Sequence, residues 1–255
     1  MSTVHEAVAW VPLFPDEEIP FILTAVLRCT TGLRKEHPTE HENDISDRLR
    51  DLLDQDAGLR TRPVEIFREV PLYDRKRPRK KPLGRSDIMF LYSTDVRKPW
   101  PYFVMESKRL RVKFPSGPRS LISEYVTGHQ GMMCFIEQRY ARDLASGGML
   151  GYVFDGNVEG ARSAVSTAIR KNHAKLKCAQ PFRLMPSLIL PEDSRVSETT
   201  HVLAHGNFIV YHSLRWRLKC LGPEQTLRPF PRAASCGLDG AFHKSERRQV
   251  GEYCT

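Results

Sequence analysis

No stretch of the 255-residue chain approaches the roughly 18 uninterrupted apolar residues that a membrane span requires. The opening, MSTVHEAVAWVPLFPDEE, also lacks the basic leader and long apolar core of a secretory signal, so a cytoplasmic protein with no membrane partner is expected. None of the six cysteines (Cys29, Cys134, Cys178, Cys220, Cys236 and Cys254) belongs to a CxxC pair. That argues against a zinc knuckle or a dithiol redox motif. A chain of this size needs no disulfide framework, and the cysteines read as free thiols. No internal repeat is visible. Acidic residues are in deficit, 30 Asp+Glu against 39 Lys+Arg, and the resulting net charge of +9 favours an anionic partner, nucleic acid first among them. With 40% hydrophobic residues, a chain this long buries roughly 70–75% of its unfolded surface and supports one substantial core.

The positive charge is concentrated. In DRKRPRKKPLGR, from Asp74 to Arg85, seven bases (Arg75, Lys76, Arg77, Arg79, Lys80, Lys81 and Arg85) oppose one acid. Pro78, Pro82 and Gly84 keep this run from being helical, so it reads as a loop, either simply solvated or in contact with a phosphate backbone.

Hydrophobic periodicity gives the frame. Pro15–Leu33 reads as a helix ended by Gly32, and ENDISDRLRDLLDQD from Glu42 reads as a second helix capped by Asn43 or Asp44, with Ile45, Leu49, Leu52 and Leu53 on one stripe. Segments 63–73, 86–93 and 101–108 read as strands, the last two as an antiparallel hairpin. A single packed helix is expected over 119–140, a buried strand over 147–155, an amphipathic helix over 158–177, and strands over 181–190 and 207–216 with the polar linker PEDSRVSETT between them. The layout is then an N-terminal helical segment (1–38), a main domain (39–220) and a weakly ordered tail (221–255).

The chemistry lies on the hairpin. Strand alternation places Asp87 on one face with Met89 and Leu91, and Glu106 and Lys108 on one face with Tyr102 and Val104. Charges in such apolar strands are costly unless compensated, and a divalent cation would compensate the acids. Ser86-Asp87, followed nineteen residues later by Glu106-Ser107-Lys108, resembles the PD-(D/E)xK motif of the restriction-endonuclease-like nucleases, and the similarity extends to the order of elements from about residue 40 to 155. The resemblance implies an α/β fold with a central mixed sheet flanked by helices, and metal-dependent hydrolysis of phosphodiester bonds, most naturally in DNA, in defence or repair. It further implies that Asp87 and Glu106, with the Ser107 carbonyl, bind Mg²⁺ or Mn²⁺, that Lys108 acts on water and phosphate, and that Glu42 supplies an extra acid, with Asp44 and Asp47 as rivals. Gln130 is the candidate presented by the following helix, where Glu124, Gln138 and Tyr140 are also available and Tyr125 reads as core. A homodimer or a protein partner is compatible with such a nuclease.

Two other readings stand beside it. One is a noncatalytic nucleic-acid-binding module that keeps the nuclease fold; the other is a structural protein in which Asp87, Glu106 and Lys108 only pair with one another. Gly128 and Gly131 suggest close packing inside their helix, and His129 reads as a satisfied core residue. His201, His205 and His212 read as ordinary strand and loop histidines in preference to a metal site.

Overall fold

The computed structural model describes residues 14–73, 81–93, 101–142 and 144–215. The first apolar stripe forms α1 (Glu18–Gly32), which buries Ile19, Ile22, Leu23, Val26 and Leu27. The second forms α2 (Glu42–Asp54), with Ile45, Leu49 and Leu53 buried at one-turn spacing and the acids Glu42 and Asp44 in its first turn, where the helix dipole favours negative charge. The N-cap of α2 is His41 without a side-chain cap bond, so the expected caps Asn43 and Asp44 lie inside the helix.

The strands β1 (Val64–Leu72), β2 (Gly84–Tyr92) and β3 (Tyr102–Leu110) come next, followed by the small pair β4 (Val112–Phe114) and β5 (Gly117–Arg119). Then come α3 (Ile122–Val126), α4 (Met133–Ile136), β6 (Ser146–Val153), α5 (Val158–Lys171), β7 (Met185–Pro186), β8 (Val196–Leu203) and β9 (Gly206–Arg215). Seven strands make one mixed sheet in the order β1-β2-β3-β6-β9-β8-β7. β6 lies parallel to both β3 and β9, and the other neighbours are antiparallel.

The two-residue period of β2 and β3 builds both layers. Ile88, Phe90, Phe103 and Met105 pack with α1 and α2 on one face, whereas Met89 and Val104 pack with α3, α4 and α5 on the other. The expected α/β architecture, a mixed central sheet flanked by helices, is therefore present, and α1 shares the core of α2. Among the described residues no helix is long and apolar enough to cross a membrane.

Four expectations are corrected. Segment 119–140 is not one helix but two short helical pieces, because at Gly131 a Cβ would sit 2.2 Å from the Glu124 carbonyl oxygen and 2.3 Å from that of Tyr125. The chain folds back over the end of α3 there, and the Met132 amide donates to Tyr125 O at 2.9 Å. His129, in this break, is exposed and not a core residue. In 181–190 only Met185–Pro186 pairs as strand; Pro181 and Pro186 have no amide to give to a ladder, and Leu188 is 82% exposed. The end of the supposed polar linker is β8, whose Ser197, Glu198, Thr199 and His201 are buried and bonded.

Two of those polar groups, Thr199 and His201, belong to a continuous chain. Tyr125 Oη lies 2.9 Å from His212 Nδ1, and Thr199 Oγ1 lies 2.9 Å from His212 Nε2 and 2.8 Å from His201 Nε2. His201 Nδ1 ends the chain 2.8 Å from the Leu176 carbonyl oxygen. His201 and His212 are thus buried hydrogen-bonding residues, and His205 is exposed in the β8–β9 turn.

Candidate active site

The β2–β3 ladder runs from Leu91–Tyr102 to Ile88–Met105 and stops. The next residues in register, Asp87 and Glu106, face each other on the side of Met89 and Val104. In place of another ladder bond, the Ser107 amide donates to Asp87 Oδ2 at 2.6 Å. Across β1, Glu69 stands opposite Asp87, outside the paired residues, with φ 48° in the left-handed region. A non-glycine residue there costs on the order of 1–2 kcal/mol, so the sheet is strained at the level of the two acids.

Lys108 lies between the acids and the backbone. Its Nζ donates to Glu106 Oε1 and to the Ser107 carbonyl oxygen, both at 2.8 Å, and stands 3.8 Å from Glu42 Oε1. Glu106 and Lys108 are only 2% and 7% exposed, and Asp87 is half-buried. Glu106 Oε2 is buried with no hydrogen-bond partner among the described residues. Burial, followed by the neighbouring Asp87 charge, pushes the Glu106 carboxyl up to about 8. Burial also raises Asp87, against the pull of Lys108 and the Ser107 amide. For Lys108, burial opposes the ammonium, but Glu106 and Asp87 outweigh it and the pKa is raised.

Glu42 is brought to the site by the first turn of α2, but its other oxygen lies 2.8 Å from Arg109 Nε. Arg109 also donates to the carbonyls of Thr39 and Glu40, and so ties the start of α2 to the end of β3. Arg109 was not among the sequence candidates; its signal was a second base directly after Lys108. The rival acid Asp47 pairs with Arg68 instead. Ser107 turns its side chain to the other face, where Ser46 Oγ donates to Ser107 Oγ at 3.0 Å. Tyr140 borders the acids: its hydroxyl donates to Arg85 O, and a Cβ on Gly84 would sit 2.3 Å from its ring. The head of β2, which carries Asp87, is thereby pinned.

Gln130 is exposed between α3 and α4 and makes no hydrogen bond to Asp87, Glu106 or Lys108 among the described residues. Of the basic run, Arg75, Lys76, Arg77, Arg79 and Lys80 lie outside the described residues, while Lys81 and Arg85 are exposed at the head of β2. Among the described residues no group of three or more His, Cys, Asp or Glu is placed to hold a metal ion. The donor set on offer is therefore two carboxylates, one with an unpartnered buried oxygen, and a backbone carbonyl. Mg²⁺ accepts such a set when water and a phosphate oxygen complete it.

Because the Glu106 carboxyl binds its proton more tightly in the folded state (about 8) than at its ordinary value of 4.5, its contribution to the stability of the metal-free protein is lost as pH rises through about 8. The slope reaches about 1.4 kcal/mol per pH unit at most. Urea unfolding in EDTA from about pH 6.5 to about pH 9, above the ordinary histidine value, checks this, and a flat profile would mean that Glu106 stays ionised against Lys108.

No protein-family model, curated protein or solved structure matches the chain.

Proposed function

We propose that the protein is a metal-dependent nuclease of the PD-(D/E)xK type, with a restriction-endonuclease-like core, that hydrolyses phosphodiester bonds in DNA. The observation that carries this reading is the convergence of Asp87, Glu106, Lys108 and Glu42 where β2 and β3 stop pairing. Asp87, the free oxygen of Glu106 and the Ser107 carbonyl are the groups that would hold Mg²⁺ or Mn²⁺. When bound, the ion polarises the phosphate and lowers the pKa of the attacking water. Lys108 orients that water and offsets charge developing on the phosphate. Arg109 keeps Glu42 at the site's edge, and the basic run from Arg75 to Arg85 holds the phosphate backbone without reading sequence.

The test is incubation of supercoiled and linear DNA with Mg²⁺, Mn²⁺ or EDTA. Cleavage with either metal and none in EDTA is the expected result. A second reading, a noncatalytic nucleic-acid-binding module, is favoured by one observation: the Lys108 ammonium already bonds Glu106 Oε1 and occupies the Ser107 carbonyl. DNA retardation that is indifferent to metal, with no cleavage, would establish it.

The basic run has its own test. Replacing Lys80 and Lys81 by Ala should weaken DNA binding on all sequences alike and flatten the dependence of log affinity on log salt by roughly one unit per lost phosphate contact. An unchanged slope would leave the run as solvated surface.

A further inference from the structure

A cleft of about 590 Å³ lies at the other end of the sheet, between α5 and the segment that carries β7 into β8. α5 is two-sided: Val158, Ala161, Val165 and Ile169 face the core, and the stripe Glu159, Arg162, Ser163, Ser166, Thr167 and Arg170 forms one wall of the cleft. Arg183 adds a third guanidinium, and Glu159 is the one acid on the lining. Arg162 is fixed in place, donating to Ser197 Oγ at 2.6 Å and to Ser194 O at 2.5 Å. Arg170 and Arg183 are exposed and make no ion pair among the described residues. The facing wall is apolar, with Leu184, Met185, Pro186 and Pro191.

Three guanidinium groups against one acid, none of them in an ion pair among the described residues, over small hydroxyl side chains suit a phosphate, and the apolar wall suits a flat ring attached to it. The volume lies within the range of small-molecule sites, roughly 300–1,000 Å³. We infer that this cleft binds a nucleotidyl unit, phosphate against Arg162, Arg170 and Arg183 and base against the apolar wall, at a site separate from the Asp87–Glu106 pair. β8 is three strand positions from β3, a separation of at least about 14 Å. The inference does not depend on the nuclease reading, since none of its residues belongs to the acid site.

The test is calorimetric titration of the full chain in EDTA with AMP, inorganic phosphate and a short single-stranded oligonucleotide. The variants are Arg170→Glu/Arg183→Glu, whose exposed side chains leave the fold intact, and Asp87→Asn as a control. AMP should bind at least tenfold more tightly than inorganic phosphate. The double variant should lose at least tenfold in AMP affinity, and Asp87→Asn should lose none. Displacement of AMP by the oligonucleotide would identify a strand as the source of the nucleotide; no displacement would identify the free nucleotide. Failure of AMP to bind at up to about 1 mM, an affinity unchanged in the double variant, or equal affinity for inorganic phosphate would overturn the inference. So would loss of AMP binding in Asp87→Asn, which would move the ligand to the acid site. Cleavage assays are not involved, so failure here and failure of the nuclease reading are told apart.

Discussion

Asp87→Asn is expected to abolish metal-dependent DNA cleavage, lowering the rate by more than the roughly 100-fold typical of losing an outer-shell partner of a metal ligand. The substitution keeps the side chain's shape, and its amide oxygen can still accept the Ser107 N–H bond that closes the β2–β3 end at 2.6 Å. Fold and melting temperature should therefore change little. DNA binding in EDTA should persist and tighten, because one negative charge facing the phosphate backbone has gone. Wild-type cleavage rates in purified Asp87→Asn would place the activity elsewhere in the chain.

Lys108→Ala carries the largest effect on stability. The ammonium bonds both Glu106 Oε1 and the Ser107 carbonyl, each at 2.8 Å inside the protein. Removing one partner of a buried ion pair leaves an uncompensated charge and costs about 3–5 kcal/mol. In EDTA that loss should be greatest above pH 8 and shrink at lower pH, where Glu106, with its carboxyl pushed up to about 8, takes up a proton instead. Cleavage should vanish in this variant, yet Mn²⁺ should bind more tightly than to wild type, since the ion no longer competes with the ammonium for the Ser107 carbonyl oxygen. Calorimetry with Mn²⁺ decides the point: no Mn²⁺ binding by either protein would reduce Asp87, Glu106 and Lys108 to a structural ion pair.

The acid pair was legible in the sequence because strand alternation is strict: a charge placed among Met89, Leu91, Tyr102 and Val104 must face the same side as they do, and β2 and β3 deliver it there. Glu42 was legible as a helix-start acid near the site, but its engagement by Arg109 was not, because that contact joins the ends of two elements far apart in the chain. β8 escaped reading since its inward side chains are Ser197, Thr199 and His201, which a hydropathy pattern scores as loop. The break between α3 and α4 escaped because both pieces keep apolar residues at helical spacing, and only the closeness of Gly131 to the Glu124 and Tyr125 carbonyls shows the reversal.

The buried chain from Tyr125 to Leu176 has a direction. A carbonyl can only accept, so His201 must carry its proton on Nδ1, facing Leu176, and its Nε2 must accept from the Thr199 hydroxyl. Thr199 has then given its one hydrogen away and can only accept from His212 Nε2, which leaves His212 Nδ1 to accept from the Tyr125 hydroxyl. Every proton in the relay is then assigned, with both imidazoles neutral. Burial accordingly lowers His201 to about 4 and His212 to about 3, each from an ordinary 6.5. Below that ordinary value the unfolded chain binds two protons that the fold must exclude, so these two imidazoles under β8 and β9 lower stability on the acid side of the curve, while Glu106 at the end of β3 lowers it on the alkaline side.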